Sequence, residues 1–204
     1  MKPLPTVETF RMTDADDRPH EECGVVGFSG VPNAAEFAFL GLYSLQHRGQ
    51  EAAGIVAIDD AGTARVHKDL GLVSDVFGPD SISRLVGSTA LGHVRYSTAR
   101  GGGARNAQPI LATYADGDLA VSHNGNLTNA IDLRQRLVEA GAIFQSTNDS
   151  EVVVHLMARS RHHTVDHKVD DALSHLEGAF SIVFSIGDTL YAARDPRGFR
   201  PLVI

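Results

Sequence analysis

The 204-residue sequence predicts an α+β fold in which helices pack outside two antiparallel sheets. Three observations carry that expectation. Apolar runs of strand length come in pairs joined by short turns, as hairpins require. Segments with apolar residues three or four apart are gathered between an early and a late set of hairpins. Strand and helix never alternate strictly, which makes a doubly wound parallel sheet the weaker choice.

Taken in order, residues 1 to 22 carry Pro3, Pro5, Pro19, the run Asp14-Ala15-Asp16-Asp17 and the pair Glu21-Glu22, too polar a mixture to build a core. They read as a disordered leader. They lack the apolar stretch of about 7 residues that a secretory signal needs. Gly24 to Phe28 reads as a short buried strand and Ser29 to Pro32 as a turn. Asn33 offers a helix N-cap with Glu36 three residues on, and Phe37, Leu40 and Leu45 continue an apolar face.

Gly54 to Ile58 and Ala64 to Lys68 form a hairpin. Its link, Asp59-Asp60-Ala61-Gly62-Thr63, resembles a loop that holds diphosphate and ribose, but it feeds a period-two strand rather than a phosphate-binding helix. Leu91 to Val94 is a strand that runs on towards Gly101-Gly102-Gly103, read as a mobile lid rather than a phosphate cradle because Lys is absent. Leu119 to Ser122 is another strand, followed by His123-Asn124-Gly125-Asn126. Ala130, Leu133, Leu137 and Ala140 then mark a helix closed by Gly141. A second helix starts near Asp149, whose carboxylate suits a helix N-terminus. Val169, Leu173 and Leu176 mark a third, capped by Gly178. His162, His163 and His167 between them lack a Cys or carboxylate frame and read as solvated surface. Ala179 to Ile186 and Thr189 to Ala193 pair through Gly187-Asp188, a type II′ turn. Pro201 to Ile204 reads as an apolar strand that stops at a boundary inside a longer polypeptide.

Composition excludes several classes. A net charge of −7 with no basic run gives nothing to steer the chain to nucleic acid or an anionic membrane. No stretch approaches the ~18 uninterrupted apolar residues of a membrane span. The single cysteine, Cys23, rules out an intrachain disulfide and fits a reducing cytoplasm. That lone thiol also raises a chemical question. A thiol of pKa ~8.5 needs a base at neutral pH, and a free α-amine at ~7.7–8.0 matches the task. An N-terminal Cys would supply both groups from one residue.

Five stretches then fall into a set: Cys23-Gly24-Val25-Val26-Gly27, Leu45 to Ile55 (LQHRGQEAAGI), Gly92 to Thr98 (GHVRYST), Ser122 to Leu127 (SHNGNL) and Asn148-Asp149-Ser150-Glu151. In order and spacing they resemble the glutaminase half of the amidophosphoribosyltransferases, a resemblance that reaches Arg194-Asp195-Pro196-Arg197-Gly198. It implies an N-terminal-nucleophile hydrolase fold, a four-layer αββα sandwich, over residues 23–204. Residues 1–22 would be a propeptide, cut at Glu22-Cys23. Cys23 would attack the glutamine amide, Asn124 and the N–H of Gly125 would form the oxyanion hole, and Arg95 and Asp149 would hold the α-carboxylate and α-ammonium. Arg48 and Gly49 would line the pocket through their backbones, with Thr98 beside it and the loop from Arg95 to Gly103 closing over it. Ammonia would pass to 5-phosphoribosyl diphosphate in a phosphoribosyltransferase domain that these residues do not include. That domain would use Mg2+, and some members add a 4Fe-4S cluster. The chain would be cytoplasmic, and the resemblance implies assembly as a homo-oligomer and a glycosyl transfer that opens purine biosynthesis. The competing readings are the glutaminase domain of a different amidotransferase, and an unprocessed, inactive precursor or assembly module.

Overall fold

A computed structural model describes residues 23–96 and 103–204. The leader, Glu22 of the expected cleavage bond, Thr98 and most of the expected lid lie outside them. The first sheet contains β1 (Gly24–Phe28), β2 (Ala52–Ile58), β3 (Ala64–Leu70) and β4 (Thr89–Arg95), in the order β1-β4-β2-β3. The second contains β5 (Ile110–Tyr114), β6 (Gly117–Leu127), β7 (Gly178–Ile186) and β8 (Thr189–Arg194), in sequence order. All these pairings are antiparallel. The described helices are α1 (Ala34–Ser44), the short α2 (Val73–Val76) and α3 (Pro79–Ser83), then α4 (Ala130–Glu139), α5 (Glu151–Arg159) and α6 (Val165–Ser174). None is long and apolar enough to cross a membrane.

Period-two side-chain alternation sorts the strands into layers. In β2, Ala53, Ile55 and Ala57 face α1, while Val56 and Ile58 face the other sheet. In β7, Phe180, Ile182, Phe184 and Ile186 pack under α4–α6, while Val183 faces inward to meet Val56, Leu91 and Ala120. The result is a helix–sheet–sheet–helix stack with one core on each side and a thinner third core between the sheets. Gly27 shows how close the sheets come, since a Cβ there would lie 2.8 Å from Val183 Cγ1.

Several expectations are corrected. Phe37 and Leu40 of α1 are exposed, and the buried face is Ala34, Ala35, Ala38 and Leu42. The helix sits so low on the sheet that small residues face it, with Gly41 against Val26 and Gly92 under Leu42. Of the three expected residues only Leu45 packs on that core. Asn33 does precede the helix, at φ 55, but its side chain makes no capping bond. Gly178 opens β7 instead of closing α6. Residues 201–204 form no strand, and Val203 and Ile204 are exposed. The turns behave as read: Asp59 Oδ1 accepts from the N–H groups of Ala61 and Thr63, and Gly187 takes φ 55 as a II′ turn needs.

Candidate active site

Cys23 stands one residue before β1, on the face that carries Val25 into the inter-sheet layer. It is half-buried, and its thiol donates to Tyr96 O at 3.6 Å, at the end of the neighbouring strand. Burial pushes the thiol above its ordinary pKa; the Arg95 charge opposes this and the Asp149 carboxylate adds to it. Both charged groups are therefore within electrostatic reach of the sulfur, although Arg95 ends β4 and Asp149 lies in the loop before α5.

The first sheet supplies the basic side. After α1 the chain makes a 3₁₀ turn, Gln46–Arg48, tied down by the Gln46 side chain: Nε2 donates to Gly49 O at 2.5 Å and Oε1 accepts from Val73 N at 2.6 Å. Arg48 Nε then donates to Cys23 O at 3.3 Å. Arg48 thus reaches the nucleophile's carbonyl with its guanidinium, a contact that expecting only its backbone had missed. Gly49 is where backbones meet, since a Cβ would stand 2.6 Å from the carbonyl carbon of Arg95. Arg95 itself has Glu51 Oε1 at 3.6 Å, and its buried Nη1 has no hydrogen-bond partner among the described residues. A fork-shaped cation held this way can clamp a carboxylate.

The second sheet supplies the other side. Asn124-Gly125 would be a turn by its usual meaning, yet β6 runs straight through it to Leu127, pairing Asn124 with Ser181 and Gly125 with Phe180. Gly125 sits at φ 139, and a Cβ would overlap Ala179 O, so no other residue fits. Asn124 is buried on the inter-sheet face, and its Oδ1 has no hydrogen-bond partner among the described residues. His123 points the opposite way, its Nδ1 2.8 Å from Ser150 Oγ and 3.5 Å from Asp149 Oδ1. Asp149 Oδ2 also accepts from Leu127 N at 3.1 Å. Burial drives the Asp149 carboxyl up, but His123, the Leu127 N–H and Ser150 outweigh it and keep the group below the usual range. It stands ready as an anion for an ammonium group.

The loop before Asp149 is built by Glu151, which is buried and accepts from Gln145 N, Ser146 N and Ser146 Oγ at 2.7, 2.9 and 2.6 Å. Glu151→Ala strands these donors and is expected to cost roughly 2–4 kcal/mol in chemical denaturation. His93 joins the sheets, donating from Nε2 to His123 O at 3.0 Å. Burial holds this imidazole neutral, with its pKa lowered to about 3. An unfolded imidazole titrates near ~6.5, so the unfolded chain binds the extra proton between the two values. The stability contributed by neutral His93 is complete above about 6.5 and falls by about 1.4 kcal/mol per pH unit on acidification towards 3. Unfolding midpoints measured across pH 4 to 7 should show that slope, and His93→Gln should flatten it.

Contacts thus link Cys23 to Arg48 and Tyr96, and Gly49 to Arg95, beside the first sheet, while Asp149, in the loop before α5, is tied to His123 and Leu127 of β6, the strand that also carries Asn124 and Gly125. His123, Ser150 and Glu51 lie in the quoted stretches but were given no role there, and Asn106 and Gln108 were not singled out at all, because they belong to no periodic pattern and act through hydrogen bonds to distant segments. His162 and His167 have rings 5.9 Å apart on the surface. Among the described residues no three His, Cys, Asp or Glu side chains gather as metal ligands would.

Residues 93–204 match the family model of a glutamine amidotransferase domain. Over 192 residues the chain is 52% identical to the chloroplastic amidophosphoribosyltransferase of Glycine max, covering 94% of this chain and 34% of that protein. Over 186 residues it is 51% identical to the amidophosphoribosyltransferase of Lacticaseibacillus casei, covering 91% and 95%. Among solved structures it resembles glutamine phosphoribosylpyrophosphate amidotransferase from B. subtilis complexed with ADP and GMP, with a TM-score of 0.81 at 44% identity over 87% of this chain and 38% of that one. A class-II glutamine aminotransferase domain protein from Silicibacter pomeroyi, at 19% identity and TM-score 0.51, shares the fold. The chain spans only 34% to 41% of the length of the plant relatives it matches.

Proposed function

Because the chain belongs to the amidophosphoribosyltransferase family, whose glutamine amidotransferase domain it carries, we propose that it hydrolyses the side-chain amide of glutamine through a thioester on Cys23. The observation behind this reading is one thiol that feels both the guanidinium of Arg95, whose buried Nη1 has no hydrogen-bond partner among the described residues, and the carboxylate of Asp149, held in its ionised form. Those two charges complement the α-carboxylate and α-ammonium of an amino acid. They leave its side chain to reach the sulfur.

Burial makes the thiol a weak acid, so it needs a base close by. Hydrolysis of the Glu22–Cys23 bond would free the α-amine of Cys23, which takes the thiol proton. The thiolate attacks the amide carbon, and the carbonyl electron pair moves to oxygen, held by Asn124 and the Gly125 N–H. As the C–N bond breaks, the amine returns its proton to the departing nitrogen and ammonia leaves. Water then opens the thioester, releasing glutamate and restoring the thiol.

In the whole protein the ammonia would go to 5-phosphoribosyl diphosphate, giving 5-phosphoribosylamine for purine synthesis, in a region beyond the part matched here. The single cysteine supports a reducing cytoplasmic setting. Intact mass and an ammonia assay on the same sample test the reading. Ammonia and glutamate in equal amounts from protein whose mass starts at Cys23 support it. No turnover from such protein overturns the activity, and turnover from protein that keeps its leader overturns the amine's role as base.

A further inference from the structure

The β5–β6 ladder stops at Ile110↔Val121. Two residues further along each strand, Gln108 would face His123, but the backbone has turned away. Gln108 O is pressed against Gly54 of the first sheet so closely that a Cβ on Gly54 would overlap it. Lys68, the partner of Gly54 in β3, holds the diverted segment from both sides, its Nζ donating to Ala107 O at 2.7 Å and Pro109 O at 2.9 Å. The diversion would orphan the buried N–H of His123, the residue before Asn124. The Gln108 side chain takes over the missing ladder bond, its Oε1 accepting from His123 N at 2.8 Å, and it is buried in doing so.

Two residues earlier, Asn106 does the same for the other half of the site. Also buried, it donates from Nδ2 to Thr147 Oγ1 at 2.7 Å and accepts from Thr147 N at Oδ1 at 3.1 Å. Thr147 leads into Asn148, whose Oδ1 accepts from both Ser150 N and Ser150 Oγ, at 3.0 and 2.8 Å, across Asp149. One short stretch of chain thus grips the strand that carries Asn124 and Gly125 with Gln108, and the loop that carries Asp149 with Asn106.

We propose that Gln108 and Asn106 are positioning residues: Gln108 sets the oxyanion donors, and Asn106 sets the carboxylate that receives the substrate ammonium. This rests on the glutaminase reading above. It predicts a division of labour that loose packing would not produce. Losing Gln108 should weaken the chemical step, and losing Asn106 should weaken glutamine binding.

The test is alkylation of Cys23 in the purified protein by two electrophiles, a chloromethyl ketone analogue of glutamine and iodoacetamide. The first needs the substrate pocket before its chloride is displaced, whereas the second needs only a reachable thiol. Gln108→Ala should lower the saturating rate with the glutamine analogue by about tenfold, the worth of one hydrogen bond. Its half-saturation should stay unchanged, and Gln108→Glu, which keeps an acceptor for His123 N, should restore the rate. Asn106→Ala should raise the half-saturation by about tenfold at an unchanged rate. Iodoacetamide should react equally with all of them. Parallel losses with both reagents, or no loss with either, would overturn the positioning roles while leaving the glutaminase reading intact. A wild-type Cys23 that reacts with iodoacetamide but not with the analogue would overturn both.

Discussion

Alanine at position 23 is expected to lower glutamine hydrolysis by on the order of 10⁶, the loss that follows removal of an enzymic nucleophile. The fold should survive, because the side chain is half-buried and among the described residues makes one long hydrogen bond, 3.6 Å to Tyr96 O. Thermal unfolding should therefore barely move while ammonia release disappears. Serine is an informative companion, since it keeps the geometry but replaces the thiol with a far weaker acid. If Cys23→Ala, with its leader removed, retained turnover within tenfold of wild type, the thioester route would be wrong and a water molecule would have to be the attacking group.

The second large effect is at Asn124, where alanine should reduce kcat by about 10²–10³ and leave KM close to wild type, as loss of an oxyanion donor does. The side chain sits on the inter-sheet face of β6, and among the described residues its carboxamide oxygen has no hydrogen-bond partner. Asn124→Asp is expected to be at least as damaging, because a carboxylate there would meet the developing oxyanion with charge of the same sign. Steady-state kinetics separate these cases. A rise in KM at constant kcat for either variant would move Asn124 from transition-state stabilisation to simple substrate binding.

The parts of this molecule that were legible in the sequence are those where a residue type is needed for its own chemistry. A lone Cys before an apolar strand could be marked from its own chemistry, whereas Arg95 and Asp149 were marked as site residues only through the resemblance of the stretches around them. Hairpins were legible too, because Asp59-to-Thr63 and Gly187-Asp188 carry their turn geometry locally. What escaped depends on how close two elements come. The apolar residues of α1 suggested a face through Phe37 and Leu40, but a helix lying against Val26 and Gly92 presents its alanines instead. Asn-Gly at 124–125 reads locally as a turn, and only the long β6–β7 pairing keeps it extended. The Asn106–Gln108 grip was equally invisible, since its partners lie 15 to 42 residues away in sequence.

The site straddles two sheets, each lined by its own helix-side core, and this has a consequence for the life of a newly made chain. A half-finished molecule that has closed only the first sheet has its sulfur but no Asp149, Asn124 or Gly125 opposite it. On the proposed mechanism such an intermediate would be unable to turn over glutamine, which would spare the free amino-acid pool from stray hydrolysis during synthesis. Activity would need both the removal of the leader and the docking of the two sheets, which His93 helps to hold through its bond to His123 O, so its appearance would report that both steps are complete.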